Sequence, residues 1–126
     1  MNQFIGIPYD KGGRSYEGAD CWGLVWLFYR DQLGIDLPEF AEASQLESSK
    51  ALARFVDANI PTINAKPVLQ PERGDLVVMK FRGSPVHIGF WYDHRVFHTL
   101  KGHDSVAEHA GSPRIATRIQ GYYRVR

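Results

Sequence analysis

One cysteine and five histidines hold most of the chemistry open to this chain. The thiol is Cys21, and the imidazoles are His87, His94, His98, His103 and His109. A lone cysteine is by default a small core hydrophobe, but the surroundings of Cys21 argue for more. It follows a stretch rich in turn formers (Asp10, Gly12, Gly13, Ser15, Gly18, Asp20) and opens the apolar run Trp22-Gly23-Leu24-Val25-Trp26-Leu27-Phe28. A thiol in the first turn of a helix sits among backbone N–H groups without intrahelical acceptors, at the positive end of the helix dipole. That setting favours the thiolate, so the pKa is expected below its usual value of about 8.5. The same amides can hold the oxyanion of an acyl-transfer intermediate.

A nucleophilic thiol needs a base, and strand parity selects it. If Asp93-His94 is a two-residue hairpin turn, facing residues have indices with an odd sum. His87 and His98 then project from one sheet face, one or two positions apart; a three-residue loop without a bulge would separate them. The expected set is Cys21 as nucleophile, His87 as base and His98 as orienter, accepting a hydrogen bond from the second ring nitrogen of His87 and fixing its tautomer. His94 falls in the turn, and His103 and His109 in a polar stretch, where solvated imidazoles are the simpler reading. One Cys and two His could also ligate zinc, but the tight ligand spacing that makes zinc motifs specific is absent. Neither a metal nor a cofactor is expected, and Gly12-Gly13 is not followed by the Lys-Ser or Lys-Thr of a phosphate-binding loop.

These side chains need a frame. The spacing of Leu24, Val25, Phe28 and Gln32 or Leu33 predicts a helix from Cys21, with Asp20 as N-cap and Gly34 as stop. A second helix is expected over residues 45–58, from Leu46, Leu52, Phe55 and Val56. Residues 60–72, with Pro61, Pro67 and Pro71, read as extended or looped. Strands are expected over residues 76–81, 86–92 and 95–100, a loop over 101–113, and a closing strand over 121–126. Helices followed by an antiparallel meander define an α+β class, with the nucleophile at the N-terminus of a helix packed on an antiparallel sheet. The length of 126 residues suits one domain, 1–126, and there is no internal repeat.

Bulk composition excludes some function classes. Fifteen basic and fourteen acidic side chains leave a formal net charge of +1, so no global field favours nucleic acid. No run approaches the eighteen or so apolar residues of a membrane span, so no membrane insertion is expected, and no signal peptide is visible. One cysteine forbids an internal disulfide. Beyond Glu108 there is no acid, while Arg114, Arg118, Arg124 and Arg126 follow; they read either as a solvated basic face or as a docking surface for an anion.

Taken in order, the motifs resemble the NlpC-type, papain-like cell-wall cysteine peptidases. Pro8-Tyr9, the Gly pair and Gly18-Ala19-Asp20-Cys21-Trp22-Gly23-Leu24-Val25 look like that family's nucleophile segment. Gly74-Asp75-Leu76-Val77 looks like its Gly-Asp-Leu strand start, and His87-Ile88-Gly89-Phe90-Trp91 like its His-(Val/Ile)-Gly strand. Trp22 and Val86 stand where many relatives have serine. The resemblance implies Cys21 as nucleophile, His87 as base and His98 as the third polar residue. It also implies Tyr9 lining the site near the oxyanion, and Asp20 near the free amino end of the substrate. The implied reaction is hydrolysis of a peptidoglycan stem peptide at the D-glutamyl to diamino-acid amide. The segments Tyr29-Arg30, Leu33 to Pro38 and Gly121-Tyr122-Tyr123-Arg124 look like the bacteriophage-tail branch. That branch implies tail-tip proteins as partners and a phage virion or prophage-derived particle as the location. Alternatives are a structural tail subunit on a peptidase-like scaffold, or acyl transfer on another substrate.

Overall fold

The computed structural model describes residues 1–40, 58–59, 61–81 and 84–125, with only the backbone of 84–86. The apolar run after Asp20 forms helix α1, Cys21–Phe28, and continues as a π-helical turn over Tyr29–Leu33. Asp20 caps it, accepting the Gly23 N–H at 2.8 Å and satisfying one of the orphan donors of the first turn. Gly34 ends the segment at φ 65°, a left-handed conformation that glycine adopts without Cβ strain. Trp22 and Trp26 donate their indole N–H groups to Pro38 O and Leu37 O, so neither ring carries an unpaired donor into the packing. The helix expected over 45–58 lies outside the described residues, its last residue apart.

The stretch before α1 is more than a loop. It holds a small antiparallel ribbon of β1, Arg14–Ser15, and β2, Gly18–Ala19. The main sheet contains β3 (Ala65–Val68), β4 (Leu76–Phe81), β5 (Ser84–Tyr92), β6 (Arg95–His98), β7 (Val106–His109) and β8 (Ile119–Val125). Its order is β3-β8-β4-β5-β6-β7, every neighbouring pair antiparallel. The α+β class holds, and the meander expectation is amended at two places. β8 inserts between β3 and β4 rather than closing an edge. The expected loop over 101–113 contains β7 and the start of a helical turn, Pro113–Ala116. The Pro-rich stretch supplies β3 at the edge of the sheet, where Pro67 and its missing N–H are tolerated.

Alternation along the strands divides the packing into two faces. Leu76, Ile88, Phe90 and Phe97 face α1 and pack with Phe4, Leu24, Val25 and Phe28; Phe90 stacks on Phe28 at 4.1 Å between centroids. Val77, Met79 and Val96 face the other way and pack under Ile115 of the helical turn. The start of β4 is tied to β8 by a two-pronged ion pair. Arg124 Nε and Nη2 reach Asp75 Oδ1 and Oδ2 at 3.0 and 2.7 Å. Arg114 pairs with Glu108, and the Arg118 guanidinium lies 4.9 Å over the Phe81 ring. Each of these three arginines thus contacts a partner within the fold, while Arg126 lies outside the described residues. Among the described residues no helix is long and apolar enough to cross a membrane.

Candidate active site

The Gly-rich segment folds around the head of α1. Asp20 Oδ2 accepts the Gly12 N–H at 2.8 Å, and Arg14 Nη1 donates to Asp20 Oδ1 at 2.9 Å and to Gly13 O at 2.8 Å. Glycine is required at position 23, because a Cβ there would lie 2.1 Å from Gly13 O. Tyr9 joins Ala19 through a parallel bridge, bringing its ring beside the helix start. The Asp20 carboxylate thus holds the cap, the loop and a guanidinium at once.

Cys21 is half-buried at the first position of α1. Burial, with the Asp20 charge adding, pushes its thiol up to about 12 from an ordinary 9.0. The backbone N–H groups of Ile88 and Trp22 and the Arg14 guanidinium pull the other way and do not win. The sequence expectation of a lowered thiol pKa is therefore corrected: at this helix start desolvation outweighs the dipole. The Ile88 amide has a second meaning. It belongs to the residue after His87, so the sulfur sits beside the β5 backbone at that point.

The hairpin between β5 and β6 follows the parity argument. Tyr92 pairs with Arg95 and Phe90 with Phe97, while Asp93 and His94 both take positive φ, 50° and 59°, as a type I′ turn requires. His87 and His98 consequently share a face, and His87 Nε2 lies 3.1 Å from His98 Nδ1. Gly89, between them, allows this: a Cβ there would stand 2.4 Å from Phe97 O and 3.0 Å from His98 Cβ. Phe81 packs edge-on against His87 and stacks on His98, covering the pair. Burial, with the His98 charge adding, pushes His87 down to about 3. Burial also lowers His98, against an upward pull from Glu108. The resting site therefore holds a neutral thiol and two neutral imidazoles.

Burial raises the Tyr9 phenol to about 12, with Cys21 and Asp20 contributing, so it remains a donor. His94 and His103 lie in turns, and His109 Nδ1 accepts the Gly111 N–H; none of the three joins His87 and His98. Among the described residues no group of three or more His, Cys, Asp or Glu side chains is arranged to hold a metal ion. Sequence reasoning missed Arg14 at Asp20, and Glu108, whose Oε1 lies 3.4 Å from His98 Nε2. No period-2 apolar pattern marks Val106–His109, so the stretch read as loop.

A helix with a thiol at its start, packed on an antiparallel sheet that carries paired imidazoles, defines the class: an α+β domain. The chain belongs to the NlpC/P60 family, whose model matches residues 6–122. It is 29% identical over 100 residues to the murein DD-endopeptidase MepS/murein LD-carboxypeptidase of Escherichia coli K12, covering 77% of this chain and 45% of that protein. A shorter match, 49% over 41 residues, links it to the gamma-DL-glutamyl hydrolase of Bacillus subtilis 168, covering 32% of this chain and 10% of that one. Among solved structures it is similar to the NlpC/p60 domain of the peptidoglycan hydrolase SagA. There the TM-score is 0.59 and the identity 20%, with 98% of this chain and 90% of that one covered. It is also similar to a lipoprotein-like NLP/P60 protein of Staphylococcus aureus Mu50, with TM-score 0.58 and identity 22%, over 98% of this chain and 38% of that one. The chain spans less than half the length of the curated relatives it matches.

Proposed function

We propose that this chain is a cysteine peptidase that hydrolyses peptidoglycan stem peptides. One observation carries the reading: Cys21 opens α1 at the Ile88 amide of β5, one residue along the strand from His87, and His87 Nε2 lies 3.1 Å from His98 Nδ1. With Nε2 engaged by His98, the ring nitrogen free to take the thiol proton in this reading is His87 Nδ1. Because the resting pair is neutral, proton transfer accompanies attack rather than preceding it. The sulfur bonds to the substrate carbonyl carbon. The oxyanion is held by the Cys21 N–H, which the helix leaves without an intrahelical acceptor, and by the Tyr9 hydroxyl. The imidazolium then returns its proton to the leaving amine, and water, activated by His87, releases the acid. Asp20, held by two amides and Arg14, acts mainly as the cap of the nucleophile's helix.

The family and the names of its curated relatives support a peptidoglycan substrate. The cut at the D-glutamyl to diamino-acid amide rests on sequence resemblance, and so does delivery by a phage tail. The relatives' names differ in the bond they specify: one is a γ-D,L-glutamyl hydrolase, the other a murein DD-endopeptidase and LD-carboxypeptidase. Muropeptides that differ in which bond is present, digested by the parent and by Cys21→Ala, test both activity and bond. Equal product from parent and variant sinks the thiol mechanism. The raised thiol favours one other reading, a tail-tip scaffold subunit; co-purification with tail proteins and an inert muropeptide panel would establish it.

A further inference from the structure

Behind His98 the contacts continue to a carboxylate that the proposed mechanism does not use. The β6–β7 register pairs His98 with Val106 and Val96 with Glu108, so His98 and Glu108 lie diagonally on one face. The His98 side chain is 1% exposed, and its Nε2 lies 3.4 Å from Glu108 Oε1. That nitrogen is buried without a formed hydrogen bond, so an orphan group faces an acceptor just beyond good alignment. On the far side, Arg114 Nε lies 3.3 and 3.2 Å from the two Glu108 oxygens and steadies the carboxylate.

We infer that Glu108 is a positioning residue that sets the tautomers of both imidazoles and thereby makes His87 Nδ1 the base. A neutral imidazole has one donor and one acceptor nitrogen, and an ionised carboxylate only accepts. Facing Glu108, His98 carries its proton on Nε2, so its Nδ1 must accept. The partner of that Nδ1 is His87 Nε2, which must then donate. His87 Nδ1 is left with its lone pair. Without Glu108 the order can reverse: His98 presents Nδ1–H, His87 takes its proton on Nδ1, and the base is lost. No proton needs to leave His98 during the reaction. The loose contact with Glu108 shortens when positive charge develops on His87 and polarises the pair, as hydrogen bonds slack in a resting site do.

The inference rests on the proposed peptidase reading, and its test keeps the two apart. Long-range 1H–15N spectra of histidine-labelled protein report each ring's tautomer without substrate. In the parent, His87 and His98 should both be protonated on Nε2. In Glu108→Ala, His98 should shift toward the Nδ1–H form. The kcat on stem peptides should then fall by about 10- to 100-fold, the scale set by partners that orient metal-bound imidazoles, with KM nearly unchanged. Glu108→Gln, whose amide oxygen still accepts, should restore the parental tautomers and most of kcat. The inference is overturned if His98 keeps Nε2–H in Glu108→Ala, or if Glu108→Gln is as impaired as Glu108→Ala with parental tautomers. A parent inert on every stem peptide defeats the peptidase reading instead, and the tautomers still decide the role of Glu108.

Discussion

Two carboxylates contact cationic or ionisable partners across this sheet, and they are finished to different degrees. Asp75, 2% exposed, has both oxygens occupied: Arg124 grips them at 3.0 and 2.7 Å, and the Glu72 N–H adds a third bond at 2.7 Å. Glu108 is held by Arg114, but its contact with His98 stops at 3.4 Å with the nitrogen unsatisfied. The first pair is complete at rest, which offsets the cost of taking its charges out of water. The second leaves slack beside the imidazoles, where the proposed mechanism brings charge only during reaction. A strand clamp gains from completion, whereas a site that must accept charge gains from having somewhere to tighten.

The widest separation between the two regions should appear in activity. His87→Ala is expected to lower kcat by about 10^3-fold, while Asp75→Asn leaves the kcat of the folded fraction close to the parent; muropeptide release per folded molecule measures both. The clamp should dominate stability instead. Asp75→Ala leaves Arg124 without its main partner and is expected to cost about 3 kcal/mol in urea unfolding. That is the low end for a broken buried pair, because the Arg124 side chain is 18% exposed. A loss as small as that from Glu108→Ala would erase the distinction.

Acid sharpens the contrast from the side of the histidines. His87 has a folded pKa of about 3 against 6.5 when exposed. Below pH 6.5 the unfolded chain takes a proton that the folded chain refuses. Its contribution is therefore complete above 6.5 and drains as pH falls toward about 3, by about 1.4 kcal/mol per pH unit. Melting curves between pH 7 and 4 should show this slope, flattened in His87→Asn to what His98 alone supplies; an unchanged slope would assign the acid sensitivity elsewhere. The thiol itself supplies a further, kinetic prediction. With its thiol near 12, Cys21 should react with iodoacetamide at pH 7 more slowly than free cysteine. Its rate should climb with pH well beyond 9, and fast alkylation near neutrality would show a preformed ion pair instead.

Much of this was legible in sequence because the informative signals are local. Asp20 and Gly34 mark the ends of the helical segment, Asp93-His94 sets the hairpin, and parity alone puts His87 and His98 on one face. The strand over 76–81 appears at its expected limits. What stayed hidden depends on distant partners. Val106–His109 is polar and short, and it becomes a strand through pairing with β6. The location of β8 rests on pairing with β3 and β4, together with Arg124 meeting Asp75, 49 positions away. The sign of the Cys21 shift needed the packing around it, which no helix-start pattern contains.

The place of β8 bears on how the protein is made. Ile119–Val125 lies between β3 and β4, and it is the last of the six strands to emerge from the ribosome. β4 through β7 are sheet neighbours in chain order and can pair as local hairpins, each in about 1–10 μs. A nascent chain can thus assemble its imidazole pair while β3 and the outer edge of β4 stand bare, with Asp75 still lacking its cation. Bare strand edges recruit other chains, so the interval before β8 arrives is a race between insertion and aggregation. Substitutions in β8 should be felt first as lost soluble yield and dependence on chaperones, before any change in the purified protein.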